Sequence, residues 1–183
     1  SSNKQIAVVI ATHGRVHMLS ERSLPSVAAQ TRRPDFVVVV DDSADDLRPA
    51  NAEVVSALAV SGCDVVYLPN GRTPGASGSW NTALASLLST TSSPNNLFVA
   101  VLDDDDAWAP TYLAGCMAAA EQGQLDMVAA DLRRIESDCE APVVSAGPET
   151  LRAADFLTGN PGIQGSNLFL KLELRALSFI MKK

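Results

Sequence analysis

Four consecutive carboxylates, Asp103, Asp104, Asp105 and Asp106, follow directly on the apolar run Phe98-Val99-Ala100-Val101-Leu102 and lead into Ala107-Trp108-Ala109-Pro110. Four like charges at the buried end of a strand repel one another unless a cation or a hydrogen-bond network relieves them. A divalent metal is the simplest relief. Hard oxygen ligands suit Mg2+ or Mn2+, which keep positions open for water and for the phosphates of a substrate. The alternative is a solvated acidic turn capping a helix that starts near Pro110, where negative charge favours the helix dipole. A second acidic cluster, Asp41-Asp42-Ser43, follows another apolar run, and the polar stretch Thr12-His13-Gly14-Arg15 follows a third. His13 and His17 stand four apart, a spacing used by metal-binding pairs on helices, but no third ligand accompanies them and His13 falls in an expected loop, so zinc is not expected.

Such residues act only if the chain brings them together. Apolar runs of strand length cover residues 6–11, 36–40, 65–68 and 98–102, and segments of helix length cover 18–30, 49–60, 77–88 and 110–122. Strands that are apolar throughout are covered on both faces. Alternation of strand and helix implies right-handed crossovers and a largely parallel sheet. In an open parallel sheet, ligands bind beyond the carboxyl ends of the strands, and all three polar clusters fall at such ends. Pro25 lies inside the first helical segment and predicts a kink or a later start. After residues 126–130 the pattern loosens into a strand around Pro142-Val143-Val144, a short helix over 149–157 and the loop Gly159-Asn160-Pro161-Gly162. Less regular second halves of this kind often carry the variable part of a site.

With 183 residues, 46% of them hydrophobic, the chain has material for one well-packed domain and not for two large ones. A net charge of −7 and the lack of a dense Lys/Arg stripe argue against a nucleic-acid partner bound by phosphate neutralisation. Cys63, Cys116 and Cys139 are odd in number and lack a C-x-x-C spacing, which predicts reduced, mostly buried thiols. No stretch approaches the roughly 20 apolar residues of a membrane span, and the N-terminus lacks a signal-peptide layout. The expectation is a soluble cytoplasmic protein, or a soluble piece of a larger one.

Four segments, in order, carry a family resemblance: Val8-Val9-Ile10-Ala11-Thr12-His13-Gly14-Arg15, Ser26-Val27-Ala28-Ala29-Gln30-Thr31, Val38-Val39-Val40-Asp41-Asp42-Ser43 and residues 102–110. The chain resembles the nucleotide-diphospho-sugar-binding half of a GT-A-fold glycosyltransferase and is most similar to glycosyltransferase family 2, over nearly its whole length and most firmly over residues 5–115. The resemblance implies a single α/β domain over 1–183, Rossmann-like, with a mostly parallel sheet flanked by helices. Residues 1–115 would be the nucleotide-sugar-binding half and 116–183 a partial, truncated acceptor-side half. The implied activity is metal-dependent transfer of a sugar from a nucleotide-diphosphate donor, UDP-linked in the commonest case, to an acceptor hydroxyl, with inversion. By position, Asp42 matches the carboxylate that accepts a hydrogen bond from the base. Its other role is to cap the loop in an Asx-turn, and Asp41 could cap while Asp42 binds. Asp103-Asp104-Asp105 occupies the D-x-D motif: Asp105 would hold Mn2+ or Mg2+, Asp104 would face the ribose or the phosphates, and Asp103 and Asp106 would orient the turn or contact the sugar. Ala11, Thr12, His13 and Arg15 would line the nucleotide, with His13 stacking on it or hydrogen-bonding to it. The metal would stabilise the charge that develops on the departing diphosphate.

Two departures from the family pattern stand out. The segment Asn70-Gly71-Arg72-Thr73-Pro74-Gly75-Ala76-Ser77-Gly78-Ser79-Trp80-Asn81 is a glycine-rich turn opening a helix, a place where backbone N–H groups can approach a ligand. It lacks the Gly-Lys-Ser/Thr of a phosphate loop. Family members usually carry Arg where this chain has Trp80, which leaves Asn81 as a ligand contact, Arg72 as a substitute cation and Trp80 as a core residue. The family's general base, an Asp or Glu usually within a Glu-Asp pair, lies beyond the strand that Ser166-Asn167-Leu168-Phe169-Leu170 resembles. That places it past Lys183, so none is nominated. Residues 162–166 would line the acceptor side and Asp131 would approach the donor sugar. Two other readings are a truncated or degenerate nucleotide-binding domain without turnover, and a Mg2+-dependent phosphotransfer or nucleotidyl-transfer enzyme. The last would release phosphate or pyrophosphate instead of an intact nucleoside diphosphate.

Overall fold

The computed structural model describes residues 4–58, 63–136, 139–144 and 165–172. Its strands are β1 (Gln5–Thr12), β2 (Phe36–Asp41), β3 (Asp64–Pro69), β4 (Leu97–Asp103), β5 (Met127–Ala129), β6 (Leu132–Glu136), β7 (Cys139–Val144) and β8 (Leu168–Lys171). Its helices are α1 (Val16–Met18), α2 (Leu24–Ala28), α3 (Arg48–Ser56), α4 (Ala76–Thr90) and α5 (Tyr112–Gly123). Six strands form one sheet in the order β3-β2-β1-β4-β8-β5, and β6 pairs with β7 in a separate antiparallel ribbon. The first four strands of the chain are parallel, and β8 runs antiparallel between β4 and β5. This is the α/β, mostly parallel architecture expected from the alternation of apolar runs.

The continuous apolar runs divide cleanly by side-chain parity, because successive residues of a strand point to opposite faces. Ile6, Val8 and Ile10 of β1, Val37 and Val39 of β2, and Phe98, Ala100 and Leu102 of β4 pack with Leu19, Leu24, Val27, Val55, Leu113 and Met117. Ala7 and Val9, Val38 and Val40, and Val99 and Val101 pack instead with Ala83, Leu84 and Leu87 of α4. Helices on both faces explain why no strand in the centre alternates with polar residues. Emptying either layer by truncating one of these buried Leu side chains to Ala costs about 2–5 kcal/mol.

Parallel register brings three strand ends to one level. Thr12 pairs with Asp41 and Ala11 with Asp103. The first helical segment starts earlier than expected, at Val16. It begins at α1, opens into a π-type turn over Leu19–Ser23 and closes again as α2. Pro25 has no N–H for a bond four residues back, and the wider turn lets Leu24 N–H bond to Leu19 O, five residues back, just before it. Helix α5 begins at Tyr112 behind Thr111 and has no acidic residue in its first turn, so the aspartate run is not its cap. The segment expected at 49–60 ends at Ser56 as α3. The helix expected over 149–157 and the loop 159–162 lie outside the described residues.

Cys63 and Cys116 are free, and burial, first among the causes, pushes both thiols up to about 11, which makes them poor nucleophiles. No helix among the described residues is long and apolar enough to cross a membrane.

Candidate functional site

The polar clusters meet at the carboxyl ends of β1, β2 and β4, and each aspartate there has a distinct environment. Asp104 is fully buried. Its Oδ2 accepts the Thr12 hydroxyl at 2.8 Å, the His13 amide at 3.4 Å and Arg15 Nε at 3.3 Å, while Arg15 Nη2 donates to Oδ1. Thr12, itself buried, orients Asp104. Asp104 is held beneath the turn by these contacts. Register brings the pair together: Ala11 pairs with Asp103, so the residues that follow in the two segments, Thr12 and Asp104, are neighbours.

Asp105 lies on the open side, 43% exposed, and its Oδ2 accepts Arg15 Nη1 at 2.8 Å. Arg22, carried on the π-type turn, donates to the Asp105 carbonyl at 2.9 Å. Burial lowers the Arg15 pKa and the Asp104 and Asp105 charges raise it more, so the guanidinium stays fully charged. Asp103 is pushed up to about 6, by burial first and then by the carboxylates of Asp106, Asp105 and Asp104, with Arg15 pulling the other way. Asp106 closes the turn by donating its amide to the Asp103 carbonyl at 3.2 Å. Among the described residues no three His, Cys, Asp or Glu side chains converge on one point that could hold a metal.

The turn is clamped from two distant parts of the chain. Continuing the antiparallel β4–β8 register from Ala100 opposite Phe169 brings Asp103 opposite Ser166. The Ser166 hydroxyl accepts the Asp103 amide at 2.9 Å, and its carbonyl accepts the Trp108 indole N–H at 2.7 Å. Trp108 stacks on Tyr112 with ring centroids 4.4 Å apart, which fixes the start of α5. On the other side Gln30, buried after α2, donates from Nε2 to Ser26 O at 3.0 Å and Ala109 O at 2.8 Å, while its Oε1 accepts the Leu113 amide at 3.0 Å. Ser166, expected to line the acceptor side, is thus a clamp on the aspartate turn. Gln30 belonged to a matched segment, yet nothing local in the sequence indicates its partners.

At the end of β2 the two aspartates divide their work. Asp41 is fully buried and forms an Asx-turn, with Oδ1 accepting the Ser43 amide at 2.8 Å. Its Oδ2 accepts Asn51 Nδ2 and the Tyr67 hydroxyl, both at 2.7 Å. Burial raises the Asp41 pKa, but the hydrogen bonds from Ser43, Tyr67 and Asn51 outweigh it and hold the carboxyl below its ordinary range. Asp42 is 15% exposed. Its carboxylate accepts Asn70 Nδ2 at 2.8 Å and the Gly75 amide at 2.6 Å, and its carbonyl accepts His13 Nδ1–H at 2.9 Å. The imidazole is otherwise open, with 73% of the side chain exposed.

The glycine-rich turn docks on this edge. Asn70 Oδ1 accepts the Thr82 hydroxyl at 2.9 Å and the amide of exposed Arg72 at 3.0 Å. Gly78 permits the approach: a Cβ there would stand 1.7 Å from the Thr73 carbonyl oxygen. Gly75, at φ +106°, supplies a backbone that L side chains avoid and aims its amide at Asp42. Trp80 packs partly buried against the α4 side of the sheet. Its Nε1 and the Asn81 Oδ1 are buried without hydrogen-bond partners. Asp131 is exposed between β5 and β6.

Known proteins share this arrangement to different extents. Succinoglycan biosynthesis protein ExoW of Rhizobium meliloti (strain 1021) is 29% identical over 199 residues, a match covering 94% of this chain and 58% of that protein. The chain therefore spans a little over half the length of this curated relative. Solved structures at lower identity share the fold. S. aureus TarS 1-349 matches at a TM-score of 0.61 and 19% identity, over 95% of this chain and 49% of that one. The mannosyltransferase PcManGT from Pyrobaculum calidifontis, in complex with GDP-Man and Mn2+, matches at 0.60 and 17%, over 93% and 45%. A 4-diphosphocytidyl-2C-methyl-D-erythritol synthase matches at 0.58 and 16%, over 100% and 82%, so likeness of fold alone does not choose among chemistries. The sequence itself does choose: matched over residues 7–168 by the family described as Glycosyl transferase family 2, the chain belongs to that family.

Proposed function

We propose that the chain binds a nucleoside-diphosphate sugar, UDP-linked, across the ends of β1, β2 and β4 and serves transfer of the sugar to an acceptor hydroxyl with inversion. One observation carries the reading: the aspartate turn, Asp42 and the segment after β1 converge on one sheet edge in a chain matched to this family. Residues 1–115 form the nucleotide-sugar half in this reading, and 116–183 contribute to the acceptor side. His13, exposed beside Asp42, offers an imidazole face and Nε2 to the base, and Asp42 supplies the carboxylate that selects it. Ala11 lines the floor, and Asn81 brings an unpartnered buried acceptor at α4. Asp104 and Thr12 hold the turn in place. No general base is assigned.

The donor set fits a hard divalent cation. Mg2+ and Mn2+ sites of this kind use one or two carboxylates and complete their shell with water and substrate phosphates. A half-exposed Asp105 with further carboxylates in the same turn meets that need without a preformed three-ligand cluster. The solved structure of the mannosyltransferase of the same fold is a complex with GDP-Man and Mn2+. When bound, such a cation supplies charge stabilisation to the leaving diphosphate, a contribution of several kcal/mol.

Titration calorimetry of UDP, GDP, CDP and dTDP tests the reading, with Mn2+, with chelator, and on Asp105→Ala. The expected result is binding of UDP that needs both Mn2+ and Asp105. Preference for another diphosphate would change the donor assignment. Absence of metal-dependent binding to any of the four would leave the aspartate run as a structural turn and overturn the transferase reading.

A further inference from the structure

The guanidinium of Arg15 occupies one of the two oxygens of the Asp105 carboxylate to which a metal would bind. It bonds Asp104 through Nε and Nη2 and reaches Asp105 Oδ2 through Nη1 at 2.8 Å. Asp104, fully buried, has this cation as its charged partner. A divalent cation beside Asp105 would meet the Arg15 charge at close range, and like charges at that distance repel strongly. Arg15 is nevertheless not locked in, since its side chain is 45% exposed. If it leaves, Asp104 keeps the Thr12 hydroxyl and the His13 amide. Guanidinium binds phosphate as well as it binds carboxylate, through the same planar fork.

We propose that Arg15 is an internal counter-ion that keeps divalent cation off Asp105 until a nucleoside diphosphate draws the guanidinium away, so that metal and nucleotide bind together and neither binds well alone. The inference rests on the donor-site reading above. Arg15 is a positioning residue in this scheme, acting through Asp105. Thermodynamic reciprocity requires the nucleotide to raise metal affinity by the same factor by which the metal raises nucleotide affinity. Arg15 sets that factor.

The test is Mn2+ binding to the nucleotide-free chain, read by electron paramagnetic resonance of free Mn2+, on wild type, Arg15→Gln and Arg15→Lys, each repeated with saturating UDP. Arg15→Gln is expected to bind Mn2+ alone about tenfold more tightly than wild type and to lose most of the enhancement by UDP. Arg15→Lys keeps the charge and is expected to stay near wild type in the nucleotide-free measurement, which a merely structural loss of the fork would not allow. If Arg15→Gln fails to fold, Arg15→Gln with Asp104→Asn removes both charges of the pair together, and a rise in Mn2+ affinity, smaller for want of the Asp104 charge, is expected of it. Unchanged or weaker Mn2+ binding by the folded neutral variants would overturn the inference. Failure of UDP, GDP, CDP and dTDP alike to bind wild type under any metal condition would instead overturn the donor-site reading, while the nucleotide-free comparison still decides whether Arg15 excludes the metal.

Discussion

Asp41 and Asp104 are the two fully buried carboxylates of the site edge, each followed by a more exposed aspartate, yet they are held by opposite means. Asp41 rests on neutral donors from Ser43, Asn51 and Tyr67. Asp104 rests on Arg15, a half-exposed cation. Neutral donors fixed by the fold make a permanent mount. A mobile cation makes a mount that another cation can take over. The β2 end is thus built as framework and the β4 end as the part that responds to ligand charge.

Substitution should separate the two most widely at Asp41. Asp41→Asn puts an amide N–H2 in place of one carboxylate oxygen, facing either the Ser43 amide or the Asn51 and Tyr67 donors, and is expected to cost about 3 kcal/mol in urea unfolding. Its pH signature has a definite sign. The folded pKa lies below the ordinary value of 3.8, so the stabilisation is present above that value and is lost as pH falls through the folded pKa. Wild-type stability should therefore drop more steeply than that of Asp41→Asn between about pH 5 and pH 2. Equal slopes would mean that the neutral donors do not hold the charged form.

Gln30→Ala comes next. It strands the Leu113 amide and frees the Ala109 carbonyl, for an expected cost of about 2 kcal/mol. It should also weaken Mn2+–UDP binding, because the aspartate turn loses its clamp, whereas Asp41→Asn should weaken that binding only in proportion to unfolding. Asp104→Asn is expected to cost about 1 kcal/mol, since the freed Arg15 can turn to water. A loss as large as that at Asp41 would erase the distinction between the two mounts. The smallest effect is that of salt. At 1 M NaCl, with a Debye length of about 3 Å, the Arg15–Asp105 pair should weaken by a few tenths of a kcal/mol, an increment that Arg15→Gln should lack.

The parts of the fold that follow from local pattern were legible in the sequence. Runs apolar on both parities had to be covered on both faces, and β1, β2 and β4 are. Their polar ends had to lie on one edge, and the register places them there. The Asx-turn at Asp41 follows from its residue type and position. The clamps do not. Gln30 reaches residues 79 and 83 positions away, across from the end of α2 to the start of α5, and Ser166 reaches one 63 positions away, a pairing set by the insertion of antiparallel β8 beside β4. Which of two adjacent aspartates is buried was equally hidden, because it depends on a one-residue offset between neighbouring strands. Thr12 and Asp104 are accordingly partners of each other. Trp80 departs from the family pattern and sits against the core, and the cations nearest the aspartate turn come from Arg15 and Arg22.

The π-type turn at Leu19–Ser23 has a consequence for how the chain tolerates change in length. Such a turn holds one residue more than a regular helix, and each residue rotates a helix by about 100°. Removing a single residue from this stretch would let α1 and α2 join into a continuous helix up to Pro25, while rotating everything before it away from its present direction. Arg22 would leave the Asp105 carbonyl, and Arg15 would be drawn off the aspartates. A deletion at this point should lower the thermal midpoint, because buried Leu19 turns with the residues before it, and abolish Mn2+–UDP binding, whereas preserved binding would show the extra residue to be dispensable. The surplus residue works as a spacer, and the helix gives up regularity so that two arginines arrive in phase with the turn they serve.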